Sequence, residues 1–135
     1  MKKLFKVKPW LIANGVIHSI MGVGVQLAMP GDIAKMAWGE GNVLGHDAIY
    51  ETVFGLAWLP MAFVLFATAL IVTGAQQAKM AVVIGASMLV TFIAMALFGQ
   101  ANGYMVDMNP LAAFGPPIFL MGCQIVSGYL HWNDE

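Results

Sequence analysis

Four apolar stretches, each close to the length of one bilayer-crossing helix, set the terms on which this chain can fold. They run from Trp10 to about Met29, from about Asp47 to Gly74, from Met80 to Phe98 and from Leu111 to about His131. A helix needs ~20 residues to cross the hydrocarbon. Only helices or closed barrels satisfy their own backbone there. Strand-like alternation is absent, and four spans cannot close a barrel. The expectation is an all-α integral membrane protein, a four-transmembrane-helix antiparallel bundle, with residues 1–135 forming a single domain. Composition points the same way: 60% of residues are hydrophobic and 10% charged, against ~25% charged in soluble domains. Mean hydropathy is +0.79. A small soluble domain has too much surface for its volume to hide that apolar content.

Charge adds orientation. The net charge is -1, so no basic excess points to nucleic acid, and none is expected as a partner. All six basic residues are lysines, which argues against sites that need bidentate guanidinium recognition. Lys2, Lys3, Lys6 and Lys8 precede the first span, and Lys79 lies between the second and third. Basic residues beside spans stay cytoplasmic. The expected location is the bacterial inner (cytoplasmic) membrane, multi-pass, with both termini in the cytoplasm and Trp10 and Trp132 as interfacial anchors. The basic start followed by an apolar run resembles a signal peptide. The run exceeds the ~7–15 residues of a signal core, and Asn14 and His18 interrupt it, so it reads as a retained first helix.

The connections are expected to differ. Ala75–Lys79 reads as a tight cytoplasmic turn that forces the second and third helices into a hairpin. Pro30–Gly45 and Gly99–Gly115 read as longer outer loops, where binding residues tend to collect, unless they are plain connectors lying in the interface. Gly115-Pro116-Pro117 would disrupt a continuous helix. Pro116 is therefore read as the first residue of the fourth helix, with Pro110–Phe114 a separate short element. Pro60 is expected to kink the second helix.

Polar groups within the spans carry the most information, because they are costly in lipid. Asn14 and His18 share a face of the first helix, and Gln124 and Ser127 share a face of the fourth. Counting inward from Trp10 and Trp132 at ~1.5 Å per residue puts His18 level with Gln124, and Asn14 level with Ser127. Ser87 is expected near the depth of His18, with Thr91 a turn further out. Two readings stay open. These groups bind helices together through hydrogen bonds of ~0.6 kcal/mol each, or they line a small polar pocket that holds a lipid or quinone head group or relays a proton. Gly15, Ser19 and Gly22 on the first helix, facing Gly122 and Gly128 on the fourth, read as close-packing positions. Cys123 reads as a small packing residue.

At the outer end, His46, Asp47, Tyr50, Glu51 and Asp107 are candidates for a polar mouth, with Gln100 and Asn102 nearby. Asp47 also suits a helix start. No HExxH, CxxC or other metal-ligand spacing is present, and no metal is expected. His18, His46 and His131 fall at three different depths, so one subunit cannot offer a haem two histidines. The eleven methionines are scattered, as gap-filling residues are. No cofactor can be named.

Gly15-Val16-Ile17-His18-Ser19-Ile20-Met21-Gly22 resembles the GxxHxxxG segment of a group of small bacterial four-helix membrane proteins without established function, broadly similar to DoxX-like proteins. Glu51–Gly55 and the Gly99–Tyr104 turn are similar as well. The resemblance implies a four-helix bundle and singles out His18, but it carries no catalytic residues. DoxX-like proteins are linked to quinone-coupled redox chemistry, which places a quinone among the candidate ligands.

No catalytic motif accompanies these features. The first functional expectation is a small multi-pass protein acting by association, as a homo-oligomer or an accessory subunit of a larger membrane complex. The alternatives are a lipid- or quinone-binding protein or enzyme with a pocket around His18, and an oligomeric transporter.

Overall fold

The computed structural model describes residues 2–3, 5–105 and 108–134, and the described residues are helices and turns with no strand. The first helix, α1, spans Val7–Ala28. Pro30–Trp38 forms α2, Asp47–Ile71 α3, Gly74–Ala101 α4 and Pro110–Leu130 α5. Three of these, α1, α3 and α4, are long and apolar enough to cross a membrane, and Phe114–Leu130 of α5 is a shorter apolar helix. The long helices follow the four apolar stretches, but their limits and connections depart from the sequence expectation in several places.

The hairpin turn is the first departure. Ala75–Lys79 is helical, and the turn is made by Val72 and Thr73, both extended, with Gly74 at φ 61° opening α4. The polar run Gln76-Gln77-Lys79 gave the impression of a turn because Gln77 works as a cap. Its Nε2 donates to the carbonyls of Val72 (2.7 Å), Thr68 (3.1 Å) and Ala69 (3.2 Å). Those carbonyls are the ones a helix C-terminus leaves without donors.

The start of α5 is the second. Pro110 opens one continuous helix, and Pro116 and Pro117 lie inside it. Asn109 Oδ1 accepts the Leu111 amide at 3.0 Å, so Asn109-Pro110 supplies an N-cap and a first-turn proline together. That is a stronger start than Gly115-Pro116, which has no capping oxygen. The first long loop is also not a plain connector: α2 carries Pro30 at its start, buries Ala34 and Ala37, and packs against α3.

Packing runs α3 on α1, α1 on α5, and α5 closely on α4. Although joined by a two-residue turn, α3 and α4 touch only sparsely. Leu11, Leu65, Ala69, Ala78, Ala81, Ile84, Met88 and Met121 form the shared core. A close approach of α5 to α4 is made at Gly128, where a Cβ would lie 2.5 Å from the Ala78 carbonyl. The glycine pairing expected between α1 and α5 is not what forms. Gly15 lies against Phe66 and Gly22 against Trp58, both on α3, while Gly122 faces open space. The side chain of Ser87 lies on the outside of the packed helices, as does that of Thr91.

Polarity is distributed unusually. Asn14, His18, Gln26, Asp47, Glu51, Thr68, Gln124 and Ser127 are buried, whereas Phe63, Leu70, Ile71, Leu97, Phe98 and Phe119 are exposed.

Candidate functional site

The middle of α1 departs from ideal helix geometry: His18–Gly24 is π-helical. Such segments are rare and concentrate at functional positions. His18 lies at its start, buried, with Nδ1 2.9 Å from the Asn14 carbonyl. A carbonyl only accepts, so Nδ1 carries the hydrogen and, in the neutral ring, Nε2 presents a lone pair. No donor to Nε2 is found among the described residues. The Trp58 ring lies beside the imidazole, with centroids 5.2 Å apart.

The expected pairing of polar layers does not form. Asn14 Nδ2 donates to Trp10 O and across to Leu120 O, both at 3.1 Å. His131 Nε2 meets Phe5 O at 3.1 Å. These two contacts define the antiparallel register of α1 and α5. Gln124 is then level with Trp10, and His18 with Pro116. Gln124 therefore lies ~12 Å from the His18 level, at ~1.5 Å per residue, and donates instead to Ala81 O on α4 at 2.9 Å. The depth count failed because Trp10 and Trp132 are not level. The C-terminal tryptophan lies further toward the end of the molecule, under Lys79, whose Nζ is 5.9 Å from its ring centroid. Ser127 donates to Gln124 O within its own helix at 2.8 Å. Gln124 Oε1 is buried with no partner.

At the opposite end the expected mouth divides. Glu51 turns inward and is 4% exposed. Tyr104 Oη donates to its two carboxylate oxygens at 3.0 and 3.1 Å. With its amide nitrogen toward Glu51, Gln26 donates to Oε2 at 3.0 Å and to the Glu51 backbone carbonyl at 3.2 Å. Burial, and then the adjacent Glu51 charge, push the Tyr104 hydroxyl well above its ordinary value, so it remains a donor. Two glycines make room: Gly55 lies against Gln26, and Gly99 against the Tyr104 ring. The Met105 amide donates to Ala37 O at 2.7 Å, and the Trp38 and Tyr104 rings meet edge-on at 5.1 Å. The 102–105 turn is thus clamped onto α2 and α3.

His46 and Tyr50 stay on the outside, their rings 5.0 Å apart. With Trp38, Asn42, Leu44 and Asp47 they line a groove of about 240 Å³. Asp107 lies outside the described residues. A second hollow of about 270 Å³ lies at the end bearing the termini, between Lys6, Lys8, Gln77 and His131. Neither hollow includes His18, Asn14, Gln124 or Ser127. No three His, Cys, Asp or Glu converge as a metal site among the described residues.

Gln26, Trp38 and Tyr104 were not among the sequence candidates. Gln26 carried the same signal as Asn14 and His18, a polar side chain in an apolar run. Tyr104 had no such signal, because its role depends on a turn folding back over α3. No family model, curated protein or solved structure matches the chain.

Proposed function

We propose that this is an integral membrane protein whose three long apolar helices and one shorter one cross the bacterial inner membrane, with both termini cytoplasmic, and that it acts by association with other membrane chains, including its own copies. The observation that carries the reading is on α4. It has the highest hydropathy of the three long helices, and only 17% of its most apolar window is buried. Its bare side interleaves Val83, Val90 and Leu97 with the small or hydroxylated Ser87, Thr91 and Ala94. In lipid, apolar contact alone gives little net drive, and helices associate through close packing and hydroxyl hydrogen bonds. The inward polar groups and outward aromatic and aliphatic groups support the membrane reading. The lysine distribution supports the orientation.

The test is the mass of the purified protein in detergent and in nanodiscs, together with disulfide trapping of Ala94→Cys in a Cys123→Ala background. A defined oligomer trapped through residue 94, and lost in Thr91→Trp, is the expected result. A monomer in both media, with no trapped product, would overturn the self-association arm.

A second reading rests on His18. Its free Nε2 lone pair, on a π-helical turn against Trp58, suits a hydroxyl donor such as a quinol or a lipid head group, and the resemblance of the first helix singles out the same residue. Quinone or lipid that co-purifies with the native chain and is absent from His18→Leu supports it. Equal ligand content in the two preparations removes it.

A further inference from the structure

Beyond association, the groove at the α2–α3 end carries a ligand assignment of its own. Three aromatic rings, from Trp38, His46 and Tyr50, stand around it. Asp47 lines it too, although its side chain is only 7% exposed. One carboxylate oxygen of Asp47 is committed, since Oδ2 accepts the Leu44 amide at 2.7 Å. Oδ1 accepts no hydrogen bond among the described residues; His46 Nε2 at 3.6 Å is outside hydrogen-bond reach but forms an ion pair with it when the ring is protonated. That oxygen keeps acceptor capacity for a donor entering the groove that Asp47 lines. The surrounding charge has the same sign: Asp32, Glu40, Asp47 and Glu51 cluster in the segments at this end, against Lys35 alone among lysines. Aromatic faces and a carboxylate together recognise organic cations. At about 240 Å³ the groove is below the ~300–1,000 Å³ of drug-sized sites, so it suits a head group.

We infer that this groove binds an organic ammonium ion, with Asp47 Oδ1 accepting from its N–H groups and the Tyr50 and Trp38 rings bordering the charge. The ammonium comes either from a soluble amine or from an aminophospholipid head group, and the two are separable.

The experiment titrates ethanolamine hydrochloride into the full chain in phosphatidylglycerol nanodiscs near neutral pH, read by saturation-transfer NMR. Ethylene glycol, which replaces the ammonium by a hydroxyl, is the neutral control. Saturable ethanolamine binding is expected, with no binding of ethylene glycol. Asp47→Asn keeps an oxygen for the Leu44 amide and should weaken ethanolamine about tenfold, as the loss of a charge-assisted contact does. Tyr50 is 63% exposed, so Tyr50→Ala tests the ring without disturbing the core, and a several-fold loss is expected. In phosphatidylethanolamine nanodiscs, binding of added ethanolamine disappears if the lipid head group fills the groove and persists if a soluble amine is the ligand; each result supports the site and names its source. No ethanolamine binding in phosphatidylglycerol, equal binding of ethylene glycol, or affinity unchanged in both variants would overturn the inference.

Discussion

The two polar regions inside this molecule are built on different principles. Around Glu51, polar side chains from α1, the 102–105 turn and α3 satisfy one another. In the middle and toward the termini, Asn14, His18, Gln124 and Ser127 each contact a backbone carbonyl. Most of those carbonyls already accept a bond within their own helices. Removing a donor from the first region leaves a buried carboxylate short of partners, whereas removing one from the second leaves behind a group that is still served. Breaking a buried polar contact costs most when the partner is charged and stranded. The Glu51 region is therefore expected to hold the packing of three elements together, and the central region to tolerate apolar replacement.

The largest expected effect tests the room made for the Glu51 cluster. In Gly55→Val, a Cβ would lie 2.5 Å from Gln26 Cβ and 3.2 Å from the Gly22 carbonyl. Overpacking of that kind costs about 3 kcal/mol, and thermal unfolding in detergent should show it. Next comes Tyr104→Phe, which removes the donor to both Glu51 oxygens at a cost of about 2 kcal/mol, typical of a hydrogen bond to a charged group. Glu51→Gln in the same chain should recover part of that loss, because the stranded charge is gone; purely additive losses would mean that the pair is not coupled.

Gln124→Leu is the counterpart in the central region. It loses the donation to Ala81 O but also removes the orphaned Oε1, so stability should change by less than about 1 kcal/mol. A loss equal to that of Tyr104→Phe would break the contrast between the two regions. The smallest effect is at the termini, where Lys2 bonds Asp134 at 2.7 Å and His131 meets the same carboxylate. The Lys2 ammonium first, and then the His131 ring, hold the Asp134 carboxyl below its ordinary value. A depressed carboxyl contributes stability above its unfolded value and loses it as pH falls through the folded one. Acid should therefore release this contact, and Lys2→Ala should raise the Asp134 midpoint in an NMR titration. The group is exposed, so little global destabilisation should accompany it.

Much of the candidate chemistry was legible residue by residue. Asn14, His18, Asp47, Glu51, Gln124 and Ser127 stood out as polar groups in or beside apolar runs, and all six are buried. Their partners were not legible. His18 and Gln124 were paired by depth, yet depth depended on two tryptophans lying level, and they do not. Gln76-Gln77-Lys79 read as a turn because polar residues in an apolar chain usually mark one; here a glutamine side chain caps the preceding helix. Asn109-Pro110 was the better helix start, but the double proline six residues later drew attention from it.

Hydropathy and period alone determined the helical class and the approximate limits of the apolar helices, three of them long enough to cross a membrane and one shorter, because each helix bonds its own backbone and needs no distant residue to do so. Only the tertiary structure decided that Tyr104 closes over Glu51, that Gln26 enters the space left by Gly55, and that α3 and α4 separate after their turn. Those outcomes depend on how helices are rotated and offset against one another. Side-chain volumes and single hydrogen bonds between residues far apart in sequence set that offset, and no local pattern encodes it.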